Sequence, residues 1–215
     1  FTVNGADAAN YNFTSSTKTT TANITPFALT VSGVTANNKV YDSTTAATLN
    51  VASAVLNTVF SGDTVSVLSG AGLFNDKNVA NNKPVTVTAV NLTGTDTGNY
   101  IVNPFPTGLT ANITPAPLSV NTITANDKVY DSTTTAFLNT GATTFTGLFS
   151  GDIVNLNTYV ANFSDKNVAN GKTVTADTFT VNGADAANYN FTSSTKTTTA
   201  NITPASLSIN TITAN

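Results

Sequence analysis

Short runs in which apolar and polar residues alternate cover most of this 215-residue chain. Leu29 and Val31 begin one such run, and Val65 and Val67 lie in another, which follows the turn residues Ser61-Gly62-Asp63. Alternation with a period of two is typical of β-strands that bury one face. The pattern therefore predicts an all-β chain of many short strands separated by turns.

The alternation changes phase inside one of the longer runs. Val85 and Val87 alternate in one phase, whereas Val90 and Leu92 alternate in the other. A shift of one residue moves the apolar side chains to the opposite face of a strand. We therefore predict a β-bulge or a sharp bend near residues 88–90.

The same sequence unit recurs with a period of 89 residues. Residues 1–26 reappear unchanged at 179–204, and a diverged copy occupies 90–115. Each copy closes with Ala-Asn-Ile-Thr-Pro, and the closing prolines are the predicted repeat junctions: Pro26, Pro115 and Pro204. A period of this length indicates whole small domains in series.

An alternating run begins within three residues of each junction proline. We divide the chain there into the C-terminal strands of a partial repeat at 1–26, a complete repeat at 27–115, a second complete repeat at 116–204, and the first strand of a further repeat at 205–215. Because no Gly/Ser-rich linker separates the units, the complete repeats are expected to lie end to end with little bending.

The two partial repeats lack the intervening strands that would enclose a core. Large apolar residues such as Tyr11 and Ile24 would face water there, at about 1.5–3 kcal/mol for each side chain left unburied. We therefore expect the terminal strands to be completed by continuing chain or by neighbouring subunits in a fibre.

The motif Asp-x-Gly/Ala-x-Tyr occurs once in each unit. Its copies are Asp7 and Tyr11, Asp96 and Tyr100, and Asp185 and Tyr189. The motif resembles the tyrosine corner of immunoglobulin-like sandwiches, in which the hydroxyl bonds the backbone a few residues upstream. This predicts tandem immunoglobulin-like β-sandwich repeats. The alternative is that Asp and Asn build a turn and the tyrosine is an ordinary core residue.

Composition excludes several classes of function. The chain has a net charge of -3, and its eight basic residues are all lysine, so no arginine-rich face could bind nucleic acid. Histidine and cysteine are missing from the sequence, which removes the usual activating bases and thiol nucleophiles. No apolar run approaches the ~20 residues of a membrane span. We therefore predict no enzymatic activity, no cofactor and no membrane span.

Four aspartates of the first complete repeat are candidates for a calcium site: Asp42, Asp63, Asp76 and Asp96. Calcium needs six to eight converging oxygens, and the sequence has neither a D-x-D-x-D loop nor a bidentate glutamate. Turn and cap roles are therefore the preferred interpretation, and we predict no metal site.

Lysines recur in register between the two repeats, at Lys39 and Lys128, Lys77 and Lys166, and Lys83 and Lys172. Solvated lysines that protect strand edges from pairing would explain this pattern. The alternative is a covalent Lys–Asn crosslink beside Asp42 or Asp131, as in some bacterial adhesin domains.

Several of these motifs together resemble a known family. The sequence Lys39-Val-Tyr-Asp-Ser-Thr-Thr45, the later Asp76-Lys-Asn-Val79 and the tyrosine motif are similar to the YDG-type repeats of very large bacterial surface and secreted proteins, including filamentous-haemagglutinin-like adhesins. The family's usual glycine after Tyr-Asp is Ser43 here and Ser132 in the second repeat. Glycine adopts positive φ more easily than serine, so the turn at this position is in question.

The resemblance implies an extracellular bacterial repeat protein with adhesive, matrix or filament roles, without a catalytic residue or a defined ligand. We expect a structural or adhesive stalk whose partners are continuing repeats, homotypic neighbours in a fibre, or host and matrix glycans. The alternative is a glycan-binding module that uses loops at one end of each repeat. The loops at 57–60 and 146–149 differ widely and predict no exposed aromatic cluster.

Overall fold

The computed structural model describes residues 2–12, 14, 17–192 and 194–212. The described chain is all-β, as predicted, and its helical turns are four short 3-10 segments: Ala8–Asn10, Thr97–Asn99, Thr140–Ala142 and Ala186–Asn188. The sequence explains this result, because threonine and valine are abundant while most strong helix formers are missing.

The first repeat contains nine strands among the described residues. They are β1 (Phe27–Ser32), β2 (Thr35–Ala36), β3 (Lys39–Val40), β4 (Ala46–Asn50), β5 (Val55–Asn57), β6 (Ser66–Phe74), β7 (Ala80–Thr93), β8 (Tyr100–Val102) and β9 (Leu109–Thr114).

The second repeat contains seven strands in the part that the structure describes. They are β10 (Ala116–Thr122), β11 (Lys128–Val129), β12 (Thr144–Thr146), β13 (Asn155–Phe163), β14 (Ala169–Asn182), β15 (Tyr189–Thr192) and β16 (Lys196–Thr203).

Each repeat pairs its strands into one small and one larger sheet. In the first repeat β1 lies between β5, which is antiparallel to it, and β8, which is parallel. The larger sheet has the order β2-β4-β6-β7-β9-β3. In the second repeat β10 lies between β12 and β15, and the larger sheet has the order β11-β16-β14-β13. The first strand of each repeat therefore pairs with the strand that begins at the motif tyrosine.

The predicted bulge is confirmed in β7. Ala71 pairs with Ala89 and Gly72 pairs with Val87, so Thr88 has no opposing residue. The second repeat has a corresponding irregularity in β14, where Thr178 adopts a φ of 54°. The phase change in the sequence thus marks a real break in strand register.

The hydrophobic core of the first repeat extends across Pro115, which is a single-residue step between β9 and β10. Buried residues of the large first sheet, including Tyr41, Phe74 and Ile113, form one cluster with residues of the second repeat. Those second-repeat members are Ala116, Leu118, Val154 and Tyr189. Burying such side chains contributes roughly 1.5–3 kcal/mol each for the larger ones. The contact between the two complete repeats therefore contains buried core residues.

The strands predicted at the two ends do not form among the described residues of 1–26 and 205–212. In the complete second repeat, β16 pairs with β14 and β11. No described strand lies beside residues 18–25, which have the same sequence as β16. Ile24 is accordingly 99% exposed and Leu207 is 97% exposed. An isolated strand with neither pairing nor burial is not stable in water.

Candidate functional site

The contact between the two complete repeats, which we call the junction, contains buried polar side chains, including Asp152 and Asn188. Tyr41 enters it directly after β3, whose parallel pairing with β9 brings it next to the end of the repeat. The Tyr41 N–H donates to the Thr114 carbonyl at 2.8 Å. Tyr41 is 1% exposed, and its ring packs against Phe149 and Tyr189 of the second repeat.

Lys77, Asn78 and Val79 reach the junction from the loop between β6 and β7. Asp76 shapes this loop by accepting hydrogen bonds from the Asn78 N–H and the Lys83 ammonium, both at 2.7 Å. The Asp76 carboxylate therefore holds the loop in the conformation that directs Lys77 toward the second repeat.

The second repeat contributes two turns to the junction. One turn ends at Asp152, just before β13, and Gly151 supports it with a φ of 90°. The other is the 3-10 segment Ala186–Asn188, which leads into β15 at Tyr189. Asp185, at the start of this segment, accepts the Ile153 N–H at 2.9 Å and so ties the two turns together.

Asp152 is the centre of the junction, and its side chain is 1% exposed. The Lys77 ammonium donates to Oδ1 at 2.5 Å. The Tyr41 hydroxyl donates to Oδ2 at 2.7 Å, and the Tyr189 hydroxyl donates to the same oxygen at 2.6 Å. A buried carboxylate is costly unless it is paired and hydrogen-bonded, and here two of the three donors come from the first repeat.

Two further contacts extend the polar network across the junction. Lys77 also lies 3.0 Å from Oδ1 of Asp185. Asn188, which is 3% exposed, accepts the Val79 N–H at 2.9 Å and donates to Asn78 Oδ1 at 3.1 Å. The side-chain oxygen of Asn188 and one N–H of its amide group therefore both find hydrogen-bond partners in the first repeat.

Aromatic packing surrounds these hydrogen bonds. The ring of Tyr41 meets the rings of Tyr189 and Phe149 edge-on, with centroids 5.4 and 5.9 Å apart. The Lys77 ammonium lies over the Tyr41 ring, 5.8 Å from its centroid. Edge-to-face and cation–π contacts of this kind favour one relative orientation of the groups.

The environment shifts the pKa of each titrating group at the junction. Burial alone would raise the pKa of Asp152, but hydrogen bonds from Lys77, Tyr189 and Tyr41 outweigh it and lower that pKa. Burial and the bond to Asp152 raise the pKa of Tyr189 to about 12. The pKa of Lys77 is also raised, first by Asp152 and then by Asp185. At neutral pH the junction therefore holds a buried carboxylate and an ammonium, with two neutral phenols.

The same residue types occupy the equivalent positions on the outer sides of the two repeats. The junction residues Tyr41, Lys77, Asn78 and Val79 correspond to Tyr130, Lys166, Asn167 and Val168 in the second repeat. The residues Phe149, Asp152, Asp185, Asn188 and Tyr189 correspond to Phe60, Asp63, Asp96, Asn99 and Tyr100 in the first. Each residue is the same amino acid as its equivalent.

Burial differs sharply between the equivalent positions. Tyr130 is partly buried and Val168 is 46% exposed, and no ion pair to Lys166 occurs among the described residues. Asn99 is exposed, whereas its equivalent Asn188 is buried. The neighbouring repeat is therefore what buries Tyr41 and Asn188, whereas Tyr100 is 5% exposed and Tyr189 6%, so each motif tyrosine is buried in both repeats.

The predicted tyrosine-corner residues have a different hydrogen-bond partner from the one that the motif suggested. The Tyr100 hydroxyl accepts the Phe60 N–H and donates to Asp63, and Tyr189 makes the same bonds to Phe149 and Asp152. The bonded backbone lies 40 residues upstream, not a few residues. This happens because the loop before β6 or β13 folds over the start of β8 or β15.

The motif aspartates connect the same two loops. Asp96 accepts the Thr64 N–H at 2.8 Å, as Asp185 does with Ile153. The N-terminal copy makes neither arrangement: Asp7 is exposed, and Tyr11 is 71% exposed. The predicted junction prolines lie at strand ends. Pro115 separates β9 from β10, Pro26 precedes β1 and Pro204 follows β16.

The candidate calcium ligands occupy separate turns. Asp42 accepts the Thr44 N–H and the Lys39 ammonium, while Asp76, Asp63 and Asp96 make the bonds described above. Across the described residues, no group of three or more potential metal-ligating side chains gathers. Asp42 and Asp76 stabilise their own turns, as the turn interpretation predicts, whereas Asp63 accepts the Tyr100 hydroxyl and Asp96 bonds the Thr64 N–H of another loop without capping its own 3-10 segment.

The interpretation of the lysines as solvated edge residues is wrong for most of them. Lys83 is 6% exposed and pairs with Asp76, and Lys172 pairs with Asp165 in the same way. Lys39 and Lys128 pair with Asp42 and Asp131, and each also donates to a threonine carbonyl. The ammonium groups of these lysines donate to carboxylate, carbonyl and hydroxyl oxygens of nearby turns. Each lysine therefore stabilises the turn that contains its aspartate.

Ser43 and Ser132 both adopt positive φ, at 63° and 68°. The turn after Tyr-Asp therefore keeps the left-handed conformation that glycine usually provides, although the residue is serine. Asp42 and Asp131 stabilise the turn by bonding the N–H of Thr44 and Thr133. Left-handed backbone costs a non-glycine residue about 1 kcal/mol, which these local bonds offset.

The first repeat also has an exposed aromatic cluster that the sequence did not predict. Phe27 and Phe60 are 40% and 55% exposed, and their ring centroids are 5.0 Å apart beside Tyr100. Together with residues before β1 they border a cavity of about 370 Å³. The sequence-based prediction missed this cluster because its members are distant along the chain.

The comparison with protein families agrees with this repeated architecture. The model of the YDG domain matches the chain twice, at residues 25–107 and 114–211. The chain therefore belongs to the YDG domain family and contains two copies of the domain. The comparison with curated proteins found no match, and neither did the comparison with solved structures.

The network around Asp152 was not predicted from the sequence. In the sequence its members belong to separate features: a repeated Tyr-Asp motif, repeated lysines and repeated turns. One signal could have revealed it: these positions are the same amino acid in both repeats, although the loops around them differ. In a repeat array each unit contacts only its neighbours. Surface residues that are identical in every copy, on the two opposite ends of the unit, are therefore expected to form the contact between units.

No helix in the described part of the chain has the length and apolar character needed to cross a membrane.

Proposed function

We propose that this chain is a structural or adhesive segment of a long bacterial extracellular protein, in which tandem immunoglobulin-like YDG repeats are stacked end to end as a stalk or fibre. The observation that carries the proposal is the buried junction. Asp152 has three hydrogen-bond donors, and two of them come from the preceding repeat: Tyr41 and Lys77. A module that needs its neighbour to satisfy buried polar groups is suited to work in series.

The junction also supports a stiff arrangement. Proline follows β9 immediately and β10 follows the proline, so no flexible linker separates the repeats. Hydrogen bonds and aromatic contacts at the junction each have a preferred direction, and together they favour one orientation of the repeats. A stalk that projects a distant binding region from a cell surface requires this property.

Small-angle X-ray scattering tests the proposal. We expect the chain to have a long, narrow distance distribution, and a chain in which residues 27–204 are duplicated should extend it by a constant length per repeat. A maximum dimension that does not grow in proportion to the number of repeats would contradict a stalk.

A second candidate function is glycan binding, which the exposed rings of Phe27 and Phe60 favour. Aromatic faces beside a cavity provide apolar contact area, and Asp63 in the cavity lining supplies a polar group. A glycan array probed with the natural chain and with Phe60→Ala tests it. Binding that the substitution abolishes would support this function over a purely structural one.

A further inference from the structure

The outer sides of the two repeats carry the two halves of one contact. The donor face consists of Tyr130, Lys166, Asn167 and Val168, and the acceptor face consists of Phe60, Asp63, Asp96, Asn99 and Tyr100. Each residue is identical to its equivalent at the internal junction, where the two faces meet. Asn99 and Val168 are exposed, and on the acceptor face Phe27 packs against Phe60 and Tyr100 at the place that Tyr41 takes at the internal junction.

We propose that the acceptor face binds the donor face of a second copy of this chain, through the same contacts that Tyr41 and Lys77 make within the chain. This inference rests on the proposed function, because it extends the junction from neighbouring repeats to neighbouring molecules. It specifies a partner: the 116–204 repeat of another copy, seated on the 27–115 repeat.

Charge complementarity supports this occupant. At the internal junction one lysine lies between two aspartates, at 2.5 Å from Asp152 and 3.0 Å from Asp185. The acceptor face offers the equivalent pair, Asp63 and Asp96, and the donor face offers Lys166. Among the described residues neither aspartate has a lysine partner, so both retain acceptor capacity for an incoming ammonium.

Phe27, at the position of Ala116, is the largest of the differences between the acceptor face region and the internal junction. Ala116 leaves room for Tyr41, whereas the equivalent Phe27 packs its own ring against Phe60 and Tyr100. The incoming Tyr130 must therefore move Phe27 aside, together with the exposed residues before it. Phe27→Ala would restore the small residue of the internal junction and should strengthen binding.

Sedimentation equilibrium of the full chain tests the proposal, from low micromolar concentration to about 1 mM, the effective concentration that a short linker provides. We expect the average mass to rise above 22.0 kDa with concentration. Growth should be open-ended, because a head-to-tail contact does not close on itself. Phe27→Ala should associate at lower concentration than the natural chain.

Charge reversal identifies the contact. Asp63→Lys and Lys166→Asp should each weaken association by about 30-fold or more, since a close charge pair is lost. An equal mixture of the two variants retains one natural acceptor face and one natural donor face, so it should associate at concentrations where each variant alone stays monomeric. Lys18→Asp, with the same charge change outside both faces, is the matched control and should associate like the natural chain. Lys166 is exposed, so the variant at this position should fold normally.

Three results would overturn the proposal. The natural chain and Phe27→Ala could both remain at 22.0 kDa up to about 1 mM. Lys166→Asp could associate as tightly as Lys18→Asp. The mixed variants could stay monomeric while the natural chain associates. Each of these results concerns contacts between copies and does not bear on the junction inside one chain. The scattering experiment tests the proposed stalk separately.

Discussion

The ammonium of Lys77 lies 2.5 Å from Oδ1 of Asp152, a carboxylate 75 residues away in the next repeat whose side chain is 1% exposed. The Asp152 turn is formed entirely by the second repeat, but the charge that balances it comes from the first. A buried carboxylate without its cation is strongly destabilising. Folding of the second repeat is therefore linked energetically to the presence of the first.

Replacing Lys77 by methionine should destabilise the chain. Methionine keeps much of the apolar stem but removes the charge, which leaves Asp152 with only phenol donors. We expect the free energy of unfolding to fall by about 2–3 kcal/mol. This is less than the cost of breaking a fully buried ion pair, because the Lys77 side chain is 34% exposed. Urea unfolding measures it. Lys166→Met is the matched control, and a change of less than about 0.5 kcal/mol is expected there. Equal losses in both variants would refute a special role for the junction.

Tyr41→Phe should weaken the junction, and Tyr130→Phe should not. The Tyr41 hydroxyl donates to a buried carboxylate, and hydrogen bonds to charged groups contribute about 1.5–3 kcal/mol. Tyr130 makes no hydroxyl hydrogen bond to the described residues, so its substitution should be nearly neutral. Hydrogen exchange at the N–H group of Val79, which bonds Asn188 across the junction, reports junction opening directly. Faster exchange is expected in Tyr41→Phe alone, and unchanged exchange there would contradict the assignment.

Stability should fall in alkali as the junction phenols titrate. The folded chain raises the pKa of Tyr189 from 10.0 to about 12. A raised pKa means that the stabilisation is complete below pH 10 and is lost as the pH rises toward 12; a two-unit shift corresponds to on the order of 2–3 kcal/mol. Lys77, whose pKa is also raised, contributes with the same sign.

Unfolding free energies measured between pH 8 and 12 test this dependence. In Tyr189→Phe the alkaline loss should be smaller, although its stability at pH 8 should be lower by about 2–3 kcal/mol, because a bond to the Asp152 carboxylate and a bond from the Phe149 N–H are both missing. An alkaline profile identical to that of the natural chain would show that Tyr189 does not titrate with the shifted pKa.

Ser43→Gly and Ser132→Gly should each stabilise the chain. Both serines hold a positive φ that glycine adopts without steric cost, so the gain should be up to about 0.5 kcal/mol after the greater unfolded-state entropy of glycine is subtracted. Thermal unfolding measures it. Ser43→Ala keeps the Cβ atom and serves as the control, with no stabilisation expected. A loss of stability in both glycine variants would show that the serine side chains contribute more than the backbone strain costs.

Much of the architecture could be predicted from the sequence because it depends on local pattern. The period of 89 residues located the repeats, the alternation predicted strands, and the phase change near Thr88 located a bulge. Each of these signals is contained within a few neighbouring residues or within one comparison of the chain with itself.

The junction could not be predicted in the same way, because its contacts join residues that are far apart. Tyr41 meets Asp152 at a separation of 111 residues, and no local pattern specifies that pair. The motif tyrosines were assigned a local partner for the same reason, whereas their hydroxyls bond a loop 40 residues upstream. The lysines were interpreted as solvated because the sequence does not show which turn each one closes.

Residual dipolar couplings of the backbone N–H groups test most directly the central claim, that the junction holds neighbouring repeats in one fixed orientation. We predict that couplings from 27–114 and 116–203 of the natural chain fit a single alignment tensor with the relative orientation seen in the structure. In Lys77→Met the two repeats should separate into tensors of different magnitude. Two distinct tensors in the natural chain would contradict the account, because they would mean that the repeats reorient independently despite the contacts around Asp152.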